Sequence, residues 1–389
     1  MSGPGTISPF IEERHAALFE TVAQLARTEI ATLPPAEDPE SARAQAREIL
    51  GIVGRAGLVR HALPEAFGGT ADGPDLRACC LIREGLAAES PLADMVYGLQ
   101  ALGSTPIVMA GTDEQKRRFL PPVADGRAMA AFAMTEPEAG SDVAGIRTTA
   151  RRDGDSYVLD GQKTLISNAG IADFYVVFAS TDPAAGKKGL SAFAVDGAAP
   201  GLRLARALVP SAPHPLGEIA FEGCRVPLDA RLGAEGEGMR IGLSTLDRLR
   251  ATVAAAACGM AGRALREARA HALARRQFGK PLADFQLVRA KIARMATDLT
   301  AARLLTYRAA LEADRGTHEV TLASAMAKAF ASEAAQRIVD EAVQIAGGAG
   351  CLVGHPVERL YRAIRPLRIY EGTTEIQELV IASHLLKGD

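Results

Sequence analysis

The stretch Arg368-Ile-Tyr-Glu-Gly-Thr-Thr-Glu-Ile-Gln377 gathers the residue types from which a single reactive carboxylate can be built. Ile369 and Tyr370 read as a buried approach, and Gly372 permits a backbone turn that other residues resist. Thr374 with Gln377 three residues on reads as a capping box that starts a helix. Glu371 is therefore expected in a turn just ahead of a helix N-terminus. The positive end of the helix dipole favours its ionised form, while apolar neighbours push its pKa the other way. An ionised carboxylate on a firm turn can serve as a general base. A cap-supporting or salt-bridged surface glutamate has the same local sequence, so the rest of the chain must decide.

Four further stretches carry chemical groups. Ala131-Phe-Ala-Met-Thr-Glu-Pro-Glu-Ala-Gly-Ser-Asp142 leaves a strand for a hydroxyl-rich loop. Its Gly140 and Ser141 can bring N–H groups and an Oγ to a phosphate, and Thr135 can donate to a polar ring edge; an ordinary capped loop is the alternative. Asp160-Gly-Gln-Lys-Thr-Leu-Ile-Ser-Asn168 reads as a turn followed by a strand ending in Ser167 and Asn168, or as a plain hairpin. Arg275-Arg-Gln-Phe-Gly-Lys-Pro-Leu282 sits between two long helices. It suits a pyrophosphate and adenine clamp, or equally an interhelical turn with Phe278 packed and Arg275 solvated. Gln344-Ile-Ala-Gly-Gly-Ala-Gly350 ends a helix in a glycine cluster that lacks the G-x-G-x-x-G spacing and follows no strand, so helix termination is its simplest reading.

The 389 residues provide for two or three domains. Lys plus Arg number 44 against 46 Asp plus Glu, which gives no electrostatic case for nucleic acid or an acidic membrane surface. The charge-free apolar run from Ala251 to Gly262 is too short to span a bilayer. No signal or transit peptide is apparent, so a cytoplasmic location is the default expectation. The cysteines, Cys79, Cys80, Cys224, Cys258 and Cys351, read as reduced core thiols, and the scattered histidines give no metal-ligand spacing. Neither a G-x-S-x-G elbow nor a phosphate-binding P-loop is present.

The elements that must position these groups follow from periodicity. From Phe10 to about Gly126 the pattern is helical, with five or six helices and breaks at Leu33–Pro35, Leu63–Gly69 and Ala101–Pro106. From about Ala128 short apolar runs (Ala130–Met134, Ser156–Leu159, Tyr175–Ala179, Leu190–Val195, Glu218–Phe221) alternate with turn residues, including Asp160-Gly161, as in a small sheet or barrel. Longer helical segments follow over Met239 to about Gln277, Asp284 to Ala313 and Thr321 to about Ala346, with a terminal one beyond. The expected domains are residues 1–127, 128–234 and 235–389.

Taken together and in this order, Leu63-Pro-Glu-Ala-Phe-Gly-Gly69, Met134-Thr-Glu-Pro-Glu-Ala-Gly-Ser-Asp142, Arg275-Arg-Gln-Phe-Gly279, Gln344-Ile-Ala-Gly-Gly348 and Tyr370-Glu-Gly-Thr373 make the chain resemble the acyl-CoA dehydrogenase family of flavoproteins over nearly its whole length. The resemblance implies a mainly α fold with a central β domain: an N-terminal helical domain, a β-barrel-like middle domain and a C-terminal four-helix bundle. It implies non-covalent FAD, with Met134, Thr135, Leu165 and Ser167 at the flavin ring and Ser141 near its pyrophosphate and the substrate. Arg275, Phe278, Gln286, Gln344, Gly347 and Gly348 would hold the ADP half, some across a subunit interface, with Thr373 and Glu375 also beside the cofactor. A homotetramer built as a dimer of dimers is the implied assembly. Glu371 matches the catalytic base, and Asp247, Arg250 and Gly372 match the acyl-CoA site, Asp247 and Arg250 at the start of the first bundle helix. The implied reaction is α,β-dehydrogenation of an acyl-CoA to a trans-2-enoyl-CoA, with electrons passed to an electron-transfer flavoprotein.

Several positions depart from the family pattern. The chain has no tryptophan, and Leu165 stands where one commonly lies beside the flavin. Ser167 replaces a threonine but keeps the hydroxyl. Ala363 follows Tyr361-Arg362 in place of an acid, which would loosen an ion pair. Leu249 stands where branched-chain members carry an alternative glutamate, which leaves Glu371 as the base. An oxidase of the same superfamily and a non-catalytic interaction scaffold are the rival readings.

Overall fold

The computed structural model describes residues 4–386. The chain divides into two compact units: one holds the residues up to Leu33, Leu76–Asp94 and those from Asp247 onward, and the other holds Pro34–Asp75 and Met95–Leu246. Five helices precede the first strand, α1 (Glu13–Leu25), α2 (Pro39–Arg55), α3 (Leu76–Glu89), α4 (Pro91–Ala110) and α5 (Asp113–Ala124). Capping chemistry fixes two of their starts. Asp38 accepts from the N–H groups of Glu40 and Ser41 at 2.8 and 2.9 Å, and Thr112 with Gln115 forms a reciprocal box. The break expected at Ala101–Pro106 does not occur, because α4 runs through Pro106. A proline there loses one backbone hydrogen bond. The buried Thr105 hydroxyl donates to the Ala101 carbonyl at 2.7 Å, and burial of the surrounding turns outweighs the local cost.

In the second unit lies a single sheet of β1 (Ala130–Ala133), β2 (Thr149–Asp153), β3 (Ser156–Ser167), β4 (Phe174–Ser180), β5 (Leu190–Asp196), β6 (Leu202–Ala207), β7 (Leu216–Pro227) and β8 (Arg231–Leu232). The strand order is β6-β7-β3-β2-β4-β5-β8, with β1 parallel to β4. Every residue of β4 is buried, and Tyr157, Leu159, Phe193, Ile219 and Phe221 join it in the core. The turn expected at Asp160-Gly161 is a bulge instead, and β3 continues through it with a register shift against β7. Gly161 is required there: its φ is 146°, and a Cβ would lie 2.6 Å from the Thr148 hydroxyl.

A buried ion pair pins the loop that leaves β1. Lys163, wholly buried on β3, donates to Glu136 Oε1 at 2.7 Å and to the Met134 carbonyl at 3.1 Å. Glu136 also accepts from the N–H groups of Arg147 and Thr148 at 2.7 and 3.0 Å. Burial pushes the Glu136 carboxyl up, but the Lys163 ammonium and these donors outweigh it and hold the carboxyl below its usual range.

The first unit is helical. It contains most of α6 (Gly238–Ala274), all of α7 (Gln286–Arg315), α8 (Val320–Ala346), the short α9 (Pro356–Ile364) and α10 (Thr374–Leu386). Small residues set the spacing of α6 and α3: a Cβ on Gly259 would lie 2.2 Å from the Glu84 carbonyl. Asp314, near the end of α7, receives the Leu76 N–H and the Arg77 Nε, each at 2.6 Å. Further along α3, Glu84 pairs with Arg303 at 2.9 Å and accepts from Tyr307 at 2.7 Å, both on α7. Four of the cysteines are buried as expected, whereas Cys351 is exposed on the glycine-rich segment after α8, where there is no core to enter.

Two stability outcomes follow. Glu136→Gln leaves the Lys163 ammonium buried without its counterion, which lowers unfolding free energy by roughly 3–5 kcal/mol in urea titration. The Glu136→Gln/Lys163→Met double variant recovers much of that loss. Because the folded carboxyl is depressed, its contribution is present above the unfolded pKa and lost as pH falls through the lower folded value. Gly259→Ala drives a methyl into the α3 backbone and costs about 1–3 kcal/mol, read as a lower thermal midpoint.

Candidate active site

Glu371 and Gly372 form a left-handed pair, with φ of 54° and 92°. A non-glycine residue in that region costs on the order of 1–3 kcal/mol and persists only where its surroundings enforce it. Three buried side chains do so. Gln377 Nε2 donates to the carbonyls of Glu371 and Gly372 at 3.3 and 3.2 Å, Lys328 Nζ donates to the Gly372 carbonyl at 2.6 Å, and Arg250 Nε reaches the Glu371 carbonyl at 3.4 Å. No side chain fits at Gly372, where a Cβ would fall 2.2 Å from Gln377 Nε2.

Two local expectations for this segment fail. The N-cap of α10 is Thr373, whose Oγ1 accepts from the Ile376 N–H at 3.3 Å. Thr374 is the first helical residue and donates to Glu333 Oε1 at 2.8 Å, and Gln377 folds back onto the turn. The turn carbonyls outcompete the capping-box geometry because they are buried and need donors. Ile369 is exposed and not part of a buried approach. The Tyr370 phenol does sit in a buried setting, and desolvation raises its pKa above the usual range.

Burial dominates the electrostatics of Glu371. It pushes the carboxyl pKa up, against the opposing pull of Arg83, Lys328 and Arg250, while Asp94 adds to the upward shift. Desolvation therefore wins over the neighbouring cations. Oε2 of Glu371 is buried and has no hydrogen-bond partner among the described residues, so it is open to accept a proton. Arg83 is held by Asp94 through two contacts, at 2.7 and 3.0 Å, and donates to the Thr252 hydroxyl at 3.0 Å. Arg250 pairs with Asp247, whose second oxygen accepts from Thr321 at 3.1 Å. Asp247 and Arg250 thus come together with the Glu371 turn, in the third and fourth turns of α6 and not at its start.

The other expected site residues fall into separate groups. At the end of β1 and along β3, the Thr164 N–H donates to the Thr135 carbonyl at 3.0 Å, so Thr135 and the Leu165–Ser167 segment run side by side. The hydroxyls of Thr135 and Ser167 are half-buried, and Ser141 is exposed. Met134 is a core residue, 4% exposed, with its side-chain tip where a Cβ on Gly242 would go. Leu165 is 59% exposed at φ 55°. Between α6 and α7, Arg276–Gln277 and Lys280–Pro281 pair as a two-stranded hairpin with Phe278 at its tip. Phe278 is 91% exposed at φ 51°, which excludes the packed interhelical turn. Arg275, Gln286, Gln344, Gly347 and Gly348 are likewise exposed. Thr373 and Glu375 serve the α10 N-terminus, where Glu375 accepts from its own N–H and from the Thr373 hydroxyl.

These groups fit FAD. A Cβ at Gly140, Gly347 or Gly348 would meet nothing within 4 Å, so the backbone there leaves open space for a large ligand. Two exposed apolar residues, Leu165 and Phe278, hold strained conformations while offering faces suited to aromatic rings. The guanidinium of Arg275 and the hydroxyls of Thr135, Ser141 and Ser167 supply matching donors.

Sequence reading missed Arg83, Asp94, Lys163 and Lys328. Lys328 had a visible signal: a lone cation in Ala325-Met-Ala-Lys-Ala-Phe-Ala331, at i+4 from Ser324 on the buried face of α8. At the Ala363 departure the side chain is buried, and the neighbouring Arg362 pairs with Glu358 one turn earlier at 2.5 Å.

Family models for the acyl-CoA dehydrogenase N-terminal, middle and C-terminal domains match residues 12–127, 131–224 and 236–386. The 3-(aryl)acrylate reductase of Clostridium sporogenes is 39% identical over 97% of this chain and all of its own. The human mitochondrial short-chain specific acyl-CoA dehydrogenase is 40% identical over 97% of this chain and 91% of its own. Butyryl-CoA dehydrogenase of Megasphaera elsdenii superposes with a TM-score of 0.92 at 34% identity, covering 97% of this chain and 99% of that one. With all three domain models in order along one chain, and relatives matched nearly end to end, the protein belongs to the acyl-CoA dehydrogenase family of flavin-dependent oxidoreductases.

Proposed function

We propose that this chain desaturates an acyl-CoA thioester between Cα and Cβ, giving a trans-2-enoyl-CoA, with Glu371 as the base that removes the α-proton. The observation that carries this reading is the buried carboxylate of Glu371, fixed in an enforced left-handed turn with one oxygen unbonded. A thioester acidifies its α-proton, yet the enolate is too costly at neutral pH without hydrogen bonds to the carbonyl oxygen. The Glu371 N–H makes no hydrogen bond within the described residues and is the donor we assign to that oxygen. Base and oxyanion donor then belong to one residue, so the turn that orients one orients the other. Asp247, Arg250 and Gly372 contribute to the acyl-CoA site through their hold on this turn.

FAD, the cofactor, supplies the hydride acceptor when bound. Thr135 and Ser167 would hold its ring, with Met134 and Leu165 beside it, and Ser141 its pyrophosphate. Arg275, Phe278, Gln286, Gln344, Gly347 and Gly348 would hold an ADP half. Their exposure on the protomer favours FAD shared across subunits, and with it a homotetramer built as a dimer of dimers. An electron-transfer flavoprotein is the proposed acceptor, and residues 1–127, 128–234 and 235–389 are the proposed domains.

Anaerobic bleaching of the flavin by a series of acyl-CoA thioesters tests the reaction and identifies the preferred chain. Glu371→Gln retains FAD and acyl-CoA binding and loses bleaching by about 10³-fold or more. A variant that bleaches at the wild-type rate places the base elsewhere.

A further inference from the structure

The charged groups around Glu371 come from five helices and the turn Arg365–Arg368, and most have a partner of their own. Arg83 of α3 is answered by Asp94 of α4, Arg250 by Asp247 on the same helix α6, and Arg368 by Glu333 of α8 at 2.6 Å. Glu375 of α10 is exposed and satisfied at its own helix end. Two charges remain. Lys328, wholly buried on α8, has no carboxylate within ion-pair distance among the described residues, and Glu371 Oε2 has no donor. A buried ammonium and a buried carboxylate are each costly alone, and each is the other's remaining compensation.

Resting on the reading of Glu371 as base, we infer that Lys328 is a positioning residue that keeps Glu371 ionised and in place. Its Nζ grips the turn through the Gly372 carbonyl at 2.6 Å and lends its charge to the carboxylate without bonding to it. The distinction matters chemically. A direct ion pair would occupy the oxygen that must take the proton, whereas a cation fastened to the adjacent carbonyl stabilises the anion and leaves Oε2 open. Burial brings the Lys328 pKa down to about 8, so the ammonium is still charged at neutral pH, and Glu371 opposes that fall. Removing the Lys328 charge raises the Glu371 pKa further, and the base is then protonated over a wider range of low pH.

The test isolates proton removal from oxidation. An acyl-CoA with hydrogens on Cα and none on Cβ cannot lose a hydride. Glu371 can take its α-proton, leaving the thioester enolate, and return a deuteron from D2O. Proton NMR of this exchange on the FAD holoenzyme, from about pH 5 to about pH 9, gives an acid limb that reports the base. K328Q keeps an N–H for the Gly372 carbonyl but removes the charge. It should move the limb up by about one pH unit, with exchange about tenfold slower below it, while K328R leaves the limb in place. A K328Q limb that coincides with wild type overturns the inference. A second measurement needs no Lys328 variant: Glu371→Gln should lower the pH at which the Lys328 ε-carbon titrates by 13C NMR, and an unchanged titration overturns the pairing. Absence of exchange in wild type, by contrast, removes Glu371 as base and this inference with it.

Discussion

The decisive constraint is the cost of keeping one carboxylate charged away from water. Glu371 sits where burial favours its neutral form, yet proton abstraction requires the anion. Much of the helical unit can be read as the answer to that conflict. Arg83, Arg250 and Lys328 arrive from three helices, and the first two bring carboxylates that prevent a surplus of positive charge. The result is a field strong enough to hold an anion and balanced enough not to abolish its basicity.

Backbone strain is part of the same solution. Glutamate has no intrinsic preference for a φ of 54°, so the turn must be imposed by donors on its carbonyls. Gln377, Lys328 and Arg250 supply them, and all three are buried and immobilised by packing. The carbonyl side of the turn is thereby consumed by the protein, and its N–H side stays open. Chemistry and conformation rest on the same few atoms.

How much of this was legible in the sequence depends on the range of the interactions. The order helical, β, helical follows from local periodicity, and the five N-terminal helices emerge as read. Pro106 misled because burial of α4 outweighs a local propensity, and Asp160-Gly161 because a bulge uses the same residue types as a turn. Strands β2 and β6 carry Arg151, Arg152, Arg203 and Arg206 on exposed positions, which hides their alternation. Glu371 was recognisable from its own neighbours. The residues that support it lie more than a hundred positions away, as Arg250 does, or on another helix, as Lys328 does, and no spacing rule reaches them. Thr373 displaced Thr374 as cap because the buried carbonyls of Glu371 and Gly372 claimed Gln377 as their donor.

The capping of α3 by Asp314 carries a consequence for biogenesis. The Leu76 and Arg77 amides at the start of this helix donate to a residue some two hundred and forty positions downstream. On a ribosome, the segment Leu76–Glu89 emerges long before its partner, and the intervening sheet has time to form while the helix waits. The helical unit is thus closed by its last third, so a chain truncated ahead of α7 retains an unfinished helix whose apolar face has nowhere to go.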